Sequence, residues 1–306
     1  MAGNAAAMAF IAVVCAAAMA AVSGAEEVYE FGSGASFIFG DSLVDAGNNN
    51  FIPSLSKANM TPNGIDFAAS GGMPTGRFTN GRTIADIIGE MLGQTDYSPP
   101  FLAPNTTGGA LLNGVNYASG GAGILNGTGR IFVNRIGMDL QVDYFNITRK
   151  QLDDLLGKAK AKEFLKKNAI FSVTVGSNDF LNNYLMPVLS AGTRKTINRV
   201  GENECVKLPN QLASKYNGRL RELLIQLNSE LPGFETASMA CCGNGGSYDG
   251  MVPCGPASSM CSNRKSHVFW DPYHPSEAAN LVMAKYIVDG DSKYISPMNL
   301  RKLLSL

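Results

Sequence analysis

Three short apolar runs punctuate the chain, and each is broken off by glycine and polar residues. Phe37-Ile38-Phe39 stops at Gly40-Asp41-Ser42. Val115-Asn116-Tyr117-Ala118 runs into Ser119-Gly120-Gly121-Ala122-Gly123. Ala169-Ile170-Phe171-Ser172-Val173-Thr174-Val175 ends in Gly176-Ser177-Asn178-Asp179. Such runs predict short buried strands. Between them the spacing turns helical. Ile84, Ile87, Ile88, Met91 and Leu92 predict a helix capped by Thr83 or Asn80. Residues 136–156 predict one or two amphipathic helices, and Lys158 to Lys167 a basic helix with a solvated face. Leu208 to Leu231 is helical in pattern, and a last helix is expected from Pro275, in its first turn, through Val288. From Asn182 to His267 no strand pattern is found. Residues 45–81 are rich in Pro, Gly and Asn and predict a long irregular segment, of the kind that shapes a cleft.

Composition narrows the class. The 306 residues carry 25 basic and 25 acidic side chains, so nothing points to nucleic acid or an anionic membrane as partner. Ala5 to Val22 is almost wholly apolar and is followed by Ser23-Gly24-Ala25, which reads as a secretory signal over residues 1–25 and a secreted, extracellular chain over 26–306. After its removal no stable membrane span is expected. Sequons stand at Asn59, Asn105, Asn126 and Asn146. Beyond Cys15 in the leader, Cys205, Cys241, Cys242, Cys254 and Cys261 remain, an odd number that leaves one unpaired in an oxidising compartment.

The candidate chemistry lies where the strands end. A Ser just past a strand can aim its hydroxyl out of the carboxyl edge of a sheet, the edge at which ligands bind in open α/β sheets. Ser42 needs a base, and the chain has two histidines, His267 and His274. In Asp271-Pro272-Tyr273-His274-Pro275 an Asp precedes His274 by three residues, close enough to fix the imidazole tautomer and leave its other nitrogen for Ser42. The Gly-rich turn after the second strand exposes backbone N–H groups, and it lacks the Lys-Ser/Thr of a phosphate loop. Asn178 sits at the end of the third strand. The Cys241-Cys242 pair lacks the partners a zinc site needs; no cofactor or metal is implied.

Taken in order, Gly40-Asp41-Ser42-Leu43, Asn116-Tyr117-Ala118-Ser119-Gly120-Gly121, Gly176-Ser177-Asn178-Asp179 and Asp271-Pro272-Tyr273-His274-Pro275 closely resemble the motifs of the plant GDSL esterases/lipases, a branch of the SGNH hydrolases. Gly76-Arg77-Phe78-Thr79-Asn80-Gly81 and Cys241-Cys242-Gly243 extend the likeness. The resemblance implies a three-layer α/β/α, flavodoxin-like fold and cleavage of lipid or other carboxylic esters through an acyl-enzyme. It implies Ser42 as nucleophile, His274 as general base and acid, and Asp271 as its orienting partner. The oxyanion hole would be the Ser42 and Gly120 N–H groups with the Asn178 side chain, and His267 would be structural.

The chain departs from the family's pattern in length. Two of the five parallel strands expected, each with its helix, are missing near residues 190–200 and 230–240. The third strand is then expected to become an open edge, and the Asp271–His274 loop to lose part of its scaffold. Two other readings follow: an inactive or poorly folded shortened isoform, and an acyltransferase using the same acyl-enzyme.

Overall fold

In a computed structural model of the chain, the described residues are 12–13, 34–184, 236–245 and 253–305. In chain order the strands are β1 (Ala12–Val13), β2 (Ala35–Gly40), β3 (Gly114–Asn116), β4 (Ala169–Thr174), β5 (Thr236–Ala240), β6 (Cys242–Gly243), β7 (Ser259–Met260) and β8 (His267–Phe269). The helices are α1 (Ile84–Met91), α2 (Met138–Leu156), α3 (Lys158–Lys167), α4 (Glu277–Asp289) and α5 (Leu300–Leu304).

The main sheet has the order β1-β4-β2-β3. β2 pairs in parallel with β3 on one side and with β4 on the other. These are the three strands expected from the apolar runs. Side chains alternate across β2. Phe37 and Phe39 pack with Tyr117, Leu152 and Phe145 under α2 and α3, and Ile38 packs with Val44, Ala118 and Ile84 on the face covered by α1. Ile170 of β4 meets Leu92, Val288 and Leu300, so α4 and α5 lie on the α1 side. Helices thus cover both faces of a parallel sheet. Ala12 and Val13, within the stretch read as a leader, run antiparallel to Thr174 and Val173 along the edge of β4.

Local chemistry explains the helix boundaries. Thr83 and Asp86 form a reciprocal capping box at the start of α1. Gly157, at φ 81°, separates α2 from α3. α4 is capped by Ser276, whose hydroxyl accepts the Ala279 N–H. Pro275 therefore lies just outside the helix it was expected to open.

The stretch expected to hold no strand contains β5, which pairs in parallel with β8. Thr236-Ala237-Ser238-Met239-Ala240 carries no run of large apolar residues; pairing with a strand close to 30 positions on supplies what its pattern lacks. β6 and β7 form a small antiparallel pair, framed by the disulfides Cys241–Cys261 and Cys242–Cys254 packed on Trp270. Cys205, the helical pattern over 208–231, the expected shortening near 190–200 and the first half of that near 230–240 lie outside the described residues.

Candidate active site

The position of Ser42 starts with Gly40. Its φ is 151°, and a Cβ there would stand 2.1 Å from the Thr174 carbonyl oxygen, so only glycine lets β2 end this close to β4. Gln141 of α2 fixes the same residue, donating to Gly40 O at 2.8 Å and accepting from Gly40 N at 2.9 Å. The chain then turns, and Ser42 is buried at the end of β2.

Ser42 Oγ lies 2.8 Å from His274 Nε2. His274 Nδ1 lies 2.8 Å from both carboxylate oxygens of Asp271. Asp271 Oδ1 also accepts the Tyr273 and His274 backbone N–H groups at 2.8 Å, which holds the carboxylate in the plane its imidazole partner needs. All three side chains are buried. With Nδ1–H donated to Asp271, Nε2 is left as the acceptor for the Ser42 hydroxyl.

The loop carrying Asp271 and His274 follows β8, which pairs with β5, and is held by contacts to the segment between β2 and α1. Trp270, fully buried, donates from Nε1 to Asn63 Oδ1 at 2.9 Å. Thr79 Oγ1 donates to Pro275 O at 3.0 Å, and Asn80 Oδ1 accepts the Glu277 N–H at 2.8 Å. Arg264 grips Asp66 with two bonds of 2.6 and 2.7 Å. The Phe78 ring lies against the His274 imidazole with centroids 5.0 Å apart. The irregular segment between β2 and α1 is therefore the cradle of the Asp-His loop. It is braced in turn by the buried Arg77–Asp86 ion pair, bidentate at 2.8 and 2.9 Å. With these contacts Ser42, His274 and Asp271 stand in hydrogen-bonding order.

The expected oxyanion donors fare differently. No acceptor for the Ser42 N–H occurs among the described residues. Asn178 Nδ2 donates to Ala122 O at 2.9 Å, which leaves the amide's second N–H, and Asn178 Oδ1 accepts from Asn182 at 2.5 Å. Gly120 departs from expectation. Its single N–H donates to Asp45 Oδ2 at 3.0 Å, because the loop after Ser42 folds back beneath the glycine turn. The neighbouring Gly121 N–H has no acceptor among the described residues.

Several residues at the site read in the sequence only as turn-formers. Asp45 Oδ1 also takes the Gly47 and Asn48 N–H groups at 2.7 and 2.8 Å. Asn48 Nδ2 donates to the Asn116 and Ala118 carbonyls at 2.8 and 2.9 Å. Asp179 accepts the Ile124 and Leu125 N–H groups at 2.8 and 3.0 Å and the Thr128 hydroxyl at 2.7 Å. Asp41 Oδ1 accepts the Leu43 N–H, and its Oδ2 the Ser177 hydroxyl, both at 3.0 Å, which ties the Asn178 turn to the Ser42 turn. Burial pushes the Asp41 carboxyl up to about 6, against the pull of these donors and of His274. Burial likewise pushes Asp45 up to about 6 against its backbone N–H donors. The signal that was available is the density of Asn and Asp in 41–50 with no basic residue beside them.

The family described as GDSL-like lipase/acylhydrolase matches residues 37–287, from within β2 through most of α4. The chain belongs to this GDSL family. Among curated proteins of Arabidopsis thaliana, it is similar to GDSL esterase/lipase At2g23540, at 55% identity with 89% of this chain and 88% of the relative covered. It is 49% identical to GDSL esterase/lipase At3g50400, covering 89% and 91%, and 42% identical to GDSL esterase/lipase At4g16230, again covering 89% and 91%. The first match runs over 340 aligned positions. As 89% of 306 residues is about 272, about 68 positions of that GDSL relative face no residue of this one. No helix among the described residues of this GDSL protein is long and apolar enough to cross a membrane. The one cluster there with metal-ligand types, Cys241, Cys261 and His267, has both thiols committed to a disulfide.

Proposed function

We propose that this chain is a secreted serine ester hydrolase that cleaves carboxylic esters through a covalent acyl-Ser42 intermediate. The observation that carries the reading is the run of 2.8 Å contacts from Ser42 Oγ through His274 to Asp271. His274 Nε2 takes the hydroxyl proton as Ser42 Oγ bonds to the carbonyl carbon. Charge moves onto the carbonyl oxygen, where the Ser42 N–H, the second Asn178 side-chain N–H and the Gly121 N–H beside the occupied Gly120 donate. Each preorganised donor is worth about 3 kcal/mol in the barrier. The imidazolium, stabilised by Asp271, gives its proton to the leaving alkoxide as the ester C–O bond breaks. Water then attacks the acyl-Ser42 carbonyl, with His274 again the base, and releases the acid and the free hydroxyl.

Apolar side chains around the glycine turn support an apolar acyl group. A Cβ on Gly121 would strike the Phe132 ring, and one on Gly120 would strike Ser56 and Phe78, so these residues stand directly against the turn. Leu55 N donates to Phe132 O at 3.0 Å, and Leu55 and Val133, the residue after Phe132, are 73% and 70% exposed. Secretion is supported by the leader, by two disulfides and by the exposed positions of all four sequon asparagines.

Turnover of p-nitrophenyl acyl esters by wild type and Ser42→Ala tests the proposal. The variant is expected to be secreted in equal amount and to lose turnover by about 10⁴-fold or more. Equal turnover by the two proteins would overturn the assignment.

A further inference from the structure

We propose that Asp45, with Asn49, is the positioning pair that sets the glycine donor of the oxyanion hole, and that the donor so set is the Gly121 N–H. This rests on the acyl-Ser42 reading. Gly120 is held at both its polar atoms by the loop that follows the nucleophile. Its N–H donates to Asp45 Oδ2 at 3.0 Å, and its carbonyl accepts Asn49 Nδ2 at 2.8 Å. The Gly120–Gly121 peptide is trans, so fixing the Gly120 carbonyl aims the Gly121 N–H in the opposite direction. Gly121 itself sits at φ +87°, a conformation that suits glycine.

Both positioning side chains are themselves fixed. Asp45 and Asn49 are 0% and 1% exposed. Asp45 is locked by the N–H groups of Gly47 and Asn48. Asn49 Oδ1 accepts the Ser119 hydroxyl at 2.5 Å, and Ser119 Oγ accepts the Ile136 N–H at 2.9 Å. The nucleophile's own loop therefore aligns the second donor, so a shift in one moves the other with it. A carboxylate suits this place better than an amide: the hydrogen bonds to Asp45 come from N–H groups, and it offers only acceptors.

Asp45→Asn is the test. An amide keeps one acceptor oxygen for Gly47 and Asn48 and turns a donor toward the Gly120 N–H. The expected result is a fall in kcat of about 10- to 100-fold, with KM within about threefold, and a parallel loss of affinity for an alkylboronic acid, which forms a tetrahedral adduct on Ser42. A kcat within about twofold of wild type in the folded variant would overturn the inference. Wild type supplies a second measurement that needs no variant to fold. With ¹⁵N-glycine labelling, the Gly120 amide is expected to exchange slowly in the free enzyme. The Gly121 amide is expected to exchange fast and to gain protection when the boronate adduct forms. Protection gained at Gly120 instead would overturn the inference. A wild-type protein that neither turns over ester nor forms the adduct would remove the acyl-Ser42 reading itself, an outcome distinct from either of these.

Discussion

Asp41, next to Ser42, shows how much of this site is built from buried carboxyls without an ion-pair partner among the described residues. Burial dominates its titration and raises it from 3.8 to about 6, and Asp45 is raised to the same level by the same cause. A raised acid binds its proton more tightly folded than unfolded. Between about pH 4 and 6 both groups therefore favour the folded state as pH falls, and that stability is lost as pH rises through about 6. Asp86 works the other way. Burial tends to raise it, but the Arg77 charge and hydrogen bonds overcome that and leave it below 3.8. Its contribution is present above that value and lost beneath it. Thermal melting is expected to move to higher temperature from about pH 7 to about pH 5, by an amount on the order of 1 kcal/mol per raised group, and to fall again below about pH 4. Asp41→Asn should remove about half of the rise. A midpoint that stays level or drops between about pH 7 and 5 would contradict this assignment.

At the scale of elements, the Asp-His loop follows β8, which pairs with β5, and is tied by hydrogen bonds to the segment between β2 and α1. Asn63→Ala isolates one such tie. It leaves the buried Trp270 Nε1–H without its acceptor, 2.9 Å away in wild type, and is expected to cost about 1–3 kcal/mol in urea unfolding and to lower kcat. Full activity in a destabilised Asn63→Ala protein would show that this tie does not position His274. The strands at Phe37–Phe39, Val115–Ala118 and Ala169–Val175, and the helix over 84–92 with its Thr83 cap, were legible because apolar spacing and capping chemistry are local. β5 was not, since its five residues become a strand through pairing with β8. Ser42, Asp271 and His274 could be picked out because the chain has two histidines and all three stand at element ends in recognisable motifs. Asp45 and Asn49 were not, because a polar residue that serves a buried N–H or C=O looks in sequence like any turn-former.

At the scale of the whole molecule, the chain holds three parallel strands, helices on both faces and Ser42, His274 and Asp271 in hydrogen-bonding order, while about 68 aligned positions of a GDSL relative have no counterpart in it. The described residues account for this. The β2 end supplies Ser42, the β3 and β4 ends supply the glycine turn and Asn178, and the 63–80 segment anchors the loop of Asp271 and His274. Each part of the site thus rests on a segment the chain keeps. The account's central claim is that these segments are enough to activate Ser42. The most direct measurement is labelling of the secreted protein with a fluorophosphonate probe, which reacts with a serine activated by an assembled site, beside Ser42→Ala. Labelling of wild type that vanishes in the variant is the predicted result. A well-folded, well-secreted wild type that takes no label would contradict the account.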